Sequence, residues 1–335
     1  MTKQNKTITA QDVADLAGVS RAVVSRALSN SGSIAPKTRT KVQQAAEQLG
    51  YQVNFLAQGL NRKRTQLIGI VVTRLDDPFR AALLQGLLLE VQQCGFQALV
   101  MEVHDKEQLE NTITQFIQYR VSGVVITSGQ PPTELARKCS EVDIPVVTIN
   151  RRVNLPTIDS VCSDNKMAAE LVLNMALKKQ SRGITWINGH SSTWAGLDRG
   201  IQLAYVHKNH NTELKFSTSL VPDANYECGY RWGLTYSLSK GELIYAANSQ
   251  LACGVLDGLK HQGLIAPDDY LLIGFDDTFV TQQDSYSLSV IHQNVEQIAK
   301  LSIQCLLTRG ANHEAKRCDL LISTSLVARK TTGTY

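Results

Sequence analysis

A chain of 335 residues, 43% hydrophobic and 19% charged, has room for two or three domains and a sizeable core, and this composition excludes a disordered protein. Its net charge of +4 is unevenly spread: residues 1–64 carry ten Lys/Arg against three Asp/Glu, a net +7, and the remainder carries 24 against 27, a net −3. Seven scattered cysteines without a C-x-x-C pair point to neither a disulfide framework nor a zinc site, no run approaches the ~20 apolar residues of a membrane span, and the opening MTKQNKTITAQD has no apolar signal region; a soluble cytoplasmic chain without a membrane partner is expected.

The first predicted helix starts after Thr9, a good N-cap, with Asp12 placed to return a capping-box bond. Val13 and Leu16 form its apolar stripe, Gly18 supplies a turn, and Ser20 caps a second helix from Arg21. Val24 and Leu28 of that helix face inward, leaving Arg21, Ala22, Ser25 and Arg26 on the opposite face. This is helix-turn-helix punctuation, in which the start of the second helix can reach base edges in a major groove. The polar run 29–33 is a loop, and Pro36 opens a third helix whose Val42, Ala45, Ala46 and Leu49 recur at helical spacing until Gly50. Val13, Leu16, Val24, Leu28, Val42 and Leu49 would close one miniature core. Asn54 could cap one or two further turns, too short to be stable unless folded against a surface, and the basic Arg62, Lys63 and Arg64 mark a domain boundary.

From residue 65 the pattern alternates strands and helices. Short β-branched runs at 67–73, 97–101, 123–127, 145–149, 184–187, 243–247 and 271–275 alternate with helical segments such as 79–93, 106–119, 164–178, 249–262 and 294–308. Parallel sheets covered on both faces follow, in two units of roughly 120–150 residues. Ligands of such sheets sit beyond the carboxyl ends of the strands, so Asp77, Arg80, Asn188, Asn248, Ser249, Asp276 and Asp277 are candidates for one cleft; Asp77 and Ser249 are also natural helix caps.

The run from Asp12-Val13-Ala14 through Leu16-Ala17-Gly18-Val19-Ser20, Val24-Ser25-Arg26-Ala27-Leu28, Thr38-Arg39, Leu49-Gly50-Tyr51 and Asn54 resembles the headpiece of the lactose-repressor (LacI-type) family of bacterial transcription regulators. The resemblance implies an α/β fold with an N-terminal three-helix helix-turn-helix headpiece (1–53), a hinge helix and linker (54–64) and a periplasmic-binding-protein-like core of two doubly wound parallel-sheet lobes (65–335). The lobes would be about 65–160 with 292–322, and 161–291 with 323–335, crossing near 160, 290 and 323. It implies that Arg21, Ala22 and Arg26 read bases beside Ser20 and Ser25, and that Asn54, Ala57 and Leu60 belong to a hinge in which Leu60 wedges into the minor groove. Val23 stands where a threonine is usual, and Val53 where a proline usually precedes the hinge asparagine.

The implied effector site takes in Asp77, Phe79, Arg80, Arg151, Asp164, Trp194, Asn248 and Asp276. Leu197, three before Gly200, falls where the family usually has a ligand-binding arginine, and Ala224, five before Gly229, where an aromatic often stacks, so a rebuilt pocket is expected for a sugar-like or anionic effector, Arg80 at a helix start favouring an anion. The partners implied are a pseudo-palindromic operator duplex, a small-molecule effector and a second copy of the chain; after a strand near 319–325 the tail lacks the leucine heptads of a tetramer-forming coil. No cofactor or enzyme motif is present, and His207 and His210 lack the further ligands a metal requires. The alternatives are a cytosolic small-molecule-binding protein or sugar-processing enzyme, and a nucleoid-type binder without effector control.

Overall fold

The computed structural model describes residues 8–28, 34–52, 65–127, 133–190, 193–210 and 212–333, and the chain divides into two compact units, 1–65 and 66–335. The first unit holds α1 (Ala10–Ala17), α2 (Arg21–Leu28) and α3 (Pro36–Leu49). The capping box forms as its residues dictate: the Asp12 amide donates to Thr9 Oγ1 and the Thr9 amide to Asp12 Oδ2. Gly18 and Gly50, at φ of 58° and 64°, end α1 and α3 in the left-handed region. Val13, Ala14, Ala17, Val24, Ala27, Val42, Ala45 and Ala46 are buried together, whereas Leu28 and Leu49 are only partly covered and Leu16 is 45% exposed. The apolar stripe of α1 thus runs through 13, 14 and 17 rather than 13 and 16, because alanines at the contact points bring three short helices close enough to exclude a leucine.

The second unit carries two six-stranded sheets. β1 (Leu67–Val72), β2 (Gln97–Glu102), β3 (Gly123–Ile126), β4 (Val146–Ile149), β5 (Ile158–Ser163) and β11 (Asp319–Ile322) build the first, in the order β11-β5-β4-β3-β1-β2. β6 (Gly183–Gly189), β7 (Lys215–Val221), β8 (Glu242–Ala246), β9 (Tyr270–Asp276), β10 (Ser289–Gln293) and β12 (Thr324–Val327) build the second, in the order β12-β10-β9-β8-β6-β7. All pairings are parallel except β10 with β12. In both sheets the order reverses beside the first strand, at β3-β1-β2 and β8-β6-β7, which opens the crevice where doubly wound sheets bind ligands.

Helices α4 (Pro78–Gln93), α5 (Lys106–Gln118), α6 (Thr133–Glu141) and α12 (Val295–Ala311) belong to the first lobe, and α7 (Asn165–Lys178), α8 (Trp194–Asn209), α9 (Tyr226–Thr235), α10 (Ser249–His261) and the short α11 (Phe279–Gln282) to the second. The chain passes between lobes after β5, after β10 and at Ser323 between β11 and β12. The apolar run read as one strand near 319–325 is therefore two strands in different sheets. Strands on both lobes are buried on both faces, around Ile68, Ile70 and Ile149 in one and Trp186, Tyr245 and Phe275 in the other.

Helices α9 and α10 meet backbone to backbone through Gly229, Gly233, Gly254 and Gly258. A Cβ on Gly254 would collide with the Tyr226 carbonyl and stand 2.7 Å from the Tyr230 amide nitrogen, neither of which can rotate away. Gly254→Ala is expected to force the helices apart and cost about 1–3 kcal/mol, a drop of several degrees in the melting midpoint. An unchanged calorimetric midpoint would contradict this packing.

Candidate functional site

Two sites emerge, one on each unit. On α2 the side chains of Arg21, Ala22, Ser25 and Arg26 are exposed while Val24 and Ala27 are buried, so the helical period puts all four on the free face. Ser20 opens that face and its Oγ accepts from the Val23 amide at 3.4 Å. Arg26 Nε donates to the Ala22 carbonyl at 3.3 Å, laying the guanidinium along the helix, and no acidic residue lies in the helix's first turn. Val23 is half-buried. Asn54, Ala57 and Leu60 lie outside the described residues.

The second site is the crevice between the lobes. It is built from strand ends. Beyond β1 come Arg74, Asp77, Phe79 and Arg80; beyond β4, Asn150 and Arg151; at the end of β6, Asn188; beyond β8, Ala247 and Asn248; and at the end of β9, Asp276. Trp194 and Arg199 enter from the first turns of α8, and Asp223 and Ala224 from the loop after β7. Arg74, Asn150 and Asp276 hold φ of 51°, 52° and 88°, a backbone region L side chains seldom adopt, and such strain gathers where a fold points side chains at a ligand.

Arg199 is one of the cleft residues the sequence reading missed. It is 7% exposed, donates from Nη1 to the Ala247 carbonyl at 2.5 Å, brings Nη2 to 3.8 Å from Asp276 Oδ1 and lies 3.5 Å over the Phe275 ring, with Nε unpartnered among the described residues. Leu197, expected in its place, is 51% exposed on the outer face of α8. The expected register rested on Gly200, but that glycine is small because Trp186 packs on it, 2.6 Å from where a Cβ would be. Gly196, Arg199, Leu203 and Val206 form the buried stripe of α8, and that three-four-three spacing was the available signal for an inward arginine.

Asp164 is the second correction. Its Oδ1 accepts the Met167 amide at 2.9 Å to cap α7, and it lines a separate cavity with Asn165 and Asp198, where the end of β5 turns away from the cleft. Asn248 rather than Ser249 caps α10, through the Leu251 amide at 2.8 Å, while its Nδ2 donates to the Ala224 carbonyl at 2.7 Å; Ser249 Oγ donates instead to the Phe275 carbonyl. Asp77 caps α4 through the Phe79 amide and faces Arg80 Nε at 3.5 Å. Arg80 turns inward with its side chain 10% exposed, bonded through Nη1 to Thr73, and burial lowers its pKa.

Burial pushes the Asp276 carboxyl up to about 6 against the pull of Arg199. Its Oδ1 also accepts from Gln293 Nε2 at 2.5 Å, and Gln293 Oε1 accepts from Asn150 Nδ2 at 3.0 Å and Ser163 Oγ at 2.5 Å. Gln293, 1% exposed at a crossover, thus ties the cleft to both lobes. Arg74 Nη1 meets Asp223 Oδ1 across the mouth at 3.4 Å, and Gln250 Nε2 reaches the Asp76 carbonyl at 3.4 Å. His207 is half-buried, its Nε2 2.7 Å from the Leu214 carbonyl and its ring against Phe216. Among the described residues no His, Cys, Asp and Glu group could hold a metal, and no helix is long and apolar enough to cross a membrane.

A helix-turn-helix unit followed in the chain by two doubly wound lobes around a polar crevice defines a ligand-responsive DNA-binding regulator. Residues 9–54 match the model for bacterial regulatory proteins of the lacI family, and residues 65–299 the model for periplasmic binding proteins and the sugar binding domain of the LacI family. The chain belongs to the LacI family of transcription regulators. It is 29% identical to the HTH-type transcriptional regulator GalS of Salmonella typhimurium over 91% of this chain and 90% of that one. It is 25% identical to the catabolite control protein A of Staphylococcus epidermidis, over 92% and 94%. The fold matches that of the lac repressor dimer bound to operator and the anti-inducer ONPF with a TM-score of 0.83 at 24% identity, over 98% of this chain and 99% of that one.

Proposed function

We propose that this regulator is a cytoplasmic repressor of metabolic genes. It binds a pseudo-palindromic operator as a homodimer through the exposed face of α2, and its affinity is set by an anionic small molecule held between the lobes. In this reading residues 1–53 are the headpiece, 54–64 the hinge and linker carrying Asn54, Ala57 and Leu60, and 65–335 the sensor. Closure of the crevice on its effector favours one lobe arrangement over the other, and that differential affinity couples to DNA.

The observation that carries the effector class is the inventory of charge in the cleft. Four guanidinium groups, Arg74, Arg80, Arg151 and Arg199, stand against three carboxylates, Asp77, Asp223 and Asp276, an excess of one positive charge. Arg80 lies in the first turn of α4, where the helix dipole and guanidinium both favour an anion. A thermal-shift panel of sugar phosphates, sugar acids and neutral sugars tests it. Anionic members are expected to stabilise the chain, and Arg80→Ala to weaken the best of them about 10- to 100-fold, the value of one charge-assisted bond. Stabilisation by neutral sugars alone, or unchanged affinity in the variant, would overturn the anionic class.

For the DNA face, duplexes selected from genomic fragments supply the operator. Arg26→Ala is expected to weaken specific binding by about 1–3 kcal/mol, and anisotropy titrations at several salt concentrations separate base from phosphate contact. A base contact relaxes sequence preference; a phosphate contact lowers the salt slope by about one. Unaltered binding would remove α2 from the interface.

A further inference from the structure

Cys305 and Cys318 belong to neither site, yet the fold brings them into contact. Cys305 is buried near the end of α12, Cys318 is half-buried at the entrance of β11, and Cys305 Sγ donates to Cys318 Sγ at 3.2 Å although thirteen positions separate them. The segment between is held from several directions. Arg309 of α12 donates from Nη1 to the Ala315 carbonyl at 3.3 Å and from Nη2 to the Lys316 carbonyl at 3.5 Å. The Cys318 amide donates to Asp159 Oδ1 at 2.8 Å, and its carbonyl accepts the Ser160 amide at 2.9 Å. The two thiols are therefore not a chance encounter of mobile side chains: one sits on a helix turn and the other on a strand start pinned to β5. A disulfide, with its S–S bond near 2.05 Å, needs the sulfurs to approach by only about 1 Å, a movement within reach of χ1 adjustments on both residues.

We propose that Cys305 and Cys318 form a modification site, a dithiol that a peroxide converts reversibly into an intrachain disulfide. The two thiols divide the work by exposure. Cys318, reachable from solvent, attacks the peroxide: its sulfur takes one oxygen, the O–O bond breaks, and the other oxygen departs as water with the thiol proton. The buried Cys305 sulfur then displaces the hydroxyl from the Cys318 sulfenic acid; the S–S bond forms as the S–O bond breaks, and the hydroxyl leaves as water with the Cys305 proton. Two thiols lose two electrons, and one peroxide becomes two waters. Burial pushes the Cys305 thiol up to about 12, which protects it from direct oxidation and leaves it the resolving role. The bridge ties α12, which begins just after one lobe crossover, to β11, which runs into another at Ser323. Oxidation thus cross-links, at the end away from the cleft, the two first-lobe elements that adjoin two of the crossovers.

Trypsin cleaves after Arg309 and Arg317 and so places the two cysteines on separate peptides, 301–309 and 318–329. Full-length protein treated with hydrogen peroxide, alkylated and digested without reductant is expected to yield these peptides joined and two hydrogens lighter, and dithiothreitol is expected to separate them. In Cys305→Ser, dimedone is expected to trap Cys318 as the sulfenic acid. The exposed Cys94 serves as the internal gauge of oxidation. The proposal fails if both cysteines remain alkylatable once Cys94 is oxidised, if Cys318 proceeds to the sulfinic acid with Cys305 present, or if it pairs with a different cysteine.

Discussion

Arg199→Met is expected to cost about 3–5 kcal/mol of stability and to abolish the response to effector, because it removes the only cation within ion-pair reach of Asp276 among the described residues and leaves that carboxylate uncompensated. Both partners are under a tenth exposed, so water cannot stand in for the lost charge. The pH dependence gives the test its sign. Burial holds the folded Asp276 near 6, above an ordinary 3.8, so between these values the folded chain binds more protons than the unfolded one. The contribution of this residue is therefore largest below about pH 4, declines as the pH rises toward 6, and is level above, a span of about 3 kcal/mol. Urea unfolding at intervals from pH 4 to 7 is expected to show a shallower decline in Asp276→Asn than in the parent. In Arg199→Met the decline is expected to extend further upward, because the strongest influence favouring the ionised form is gone and only hydrogen bonds such as that from Gln293 remain. Joining the two substitutions is expected to recover part of the loss, since the neutral amide no longer needs a cation. Identical slopes in parent and Asp276→Asn would show that the carboxylate does not titrate as its burial dictates.

Legibility in the sequence followed how local the determinants are. The helix-turn-helix could be read because Thr9, Asp12, Gly18 and Ser20 act within a few residues of themselves; Leu16 was misplaced because its exposure depends on alanines from other helices. The strands β1, β3, β4, β6, β8 and β9 announced themselves as short apolar runs, whereas β5 (IDSVCS) and β10 (SVIHQ), interior to their sheets, carry polar residues and show no such run. β7, at a sheet edge with KFSTSLV mostly exposed, shows no such run, and the boundary between β11 and β12 is invisible because one apolar stretch serves two sheets. In the cleft, Asp77, Arg80, Asn248 and Asp276 follow strands and could be found by the rule that ligands sit beyond strand ends. Arg199 and Gln293 could not be found that way, since one hangs from the second turn of a helix and the other ends a strand at a crossover. Their placement is a property of the closed tertiary structure, and the arginine was hidden further by a glycine whose reason is a tryptophan on another element.

The second large effect lies at the other end of the first lobe. Arg309 Nε and Nη2 grip the two oxygens of Asp159 at 2.7 and 2.6 Å, with the arginine 4% and the aspartate 1% exposed. The hydrogen bonds that Arg309 donates to the carboxylate raise its pKa against the opposing effect of burial, the mark of a pair whose geometry repays its desolvation. Arg309→Ala is expected to cost about 3–5 kcal/mol, because among the described residues Asp159 keeps only the Cys318 amide to answer its charge and the Ala315 and Lys316 carbonyls lose their donor. Arg309→Lys is expected to recover less than half, since an ammonium cannot reproduce the planar fork. Replacing both partners with apolar residues of similar size is expected to recover most of the stability, which separates the cost of an orphaned carboxylate from any intrinsic value of the pair. Hydrogen exchange is expected to rise first at residues 315–322, and effector affinity, measured well below the melting midpoint, is expected to stay within a few-fold of the parent because the cleft is built at the opposite ends of these strands. A lysine variant as stable as the parent, or a large loss of effector affinity in the folded alanine variant, would show that Arg309 acts on the sensor and not on the lobe's framework.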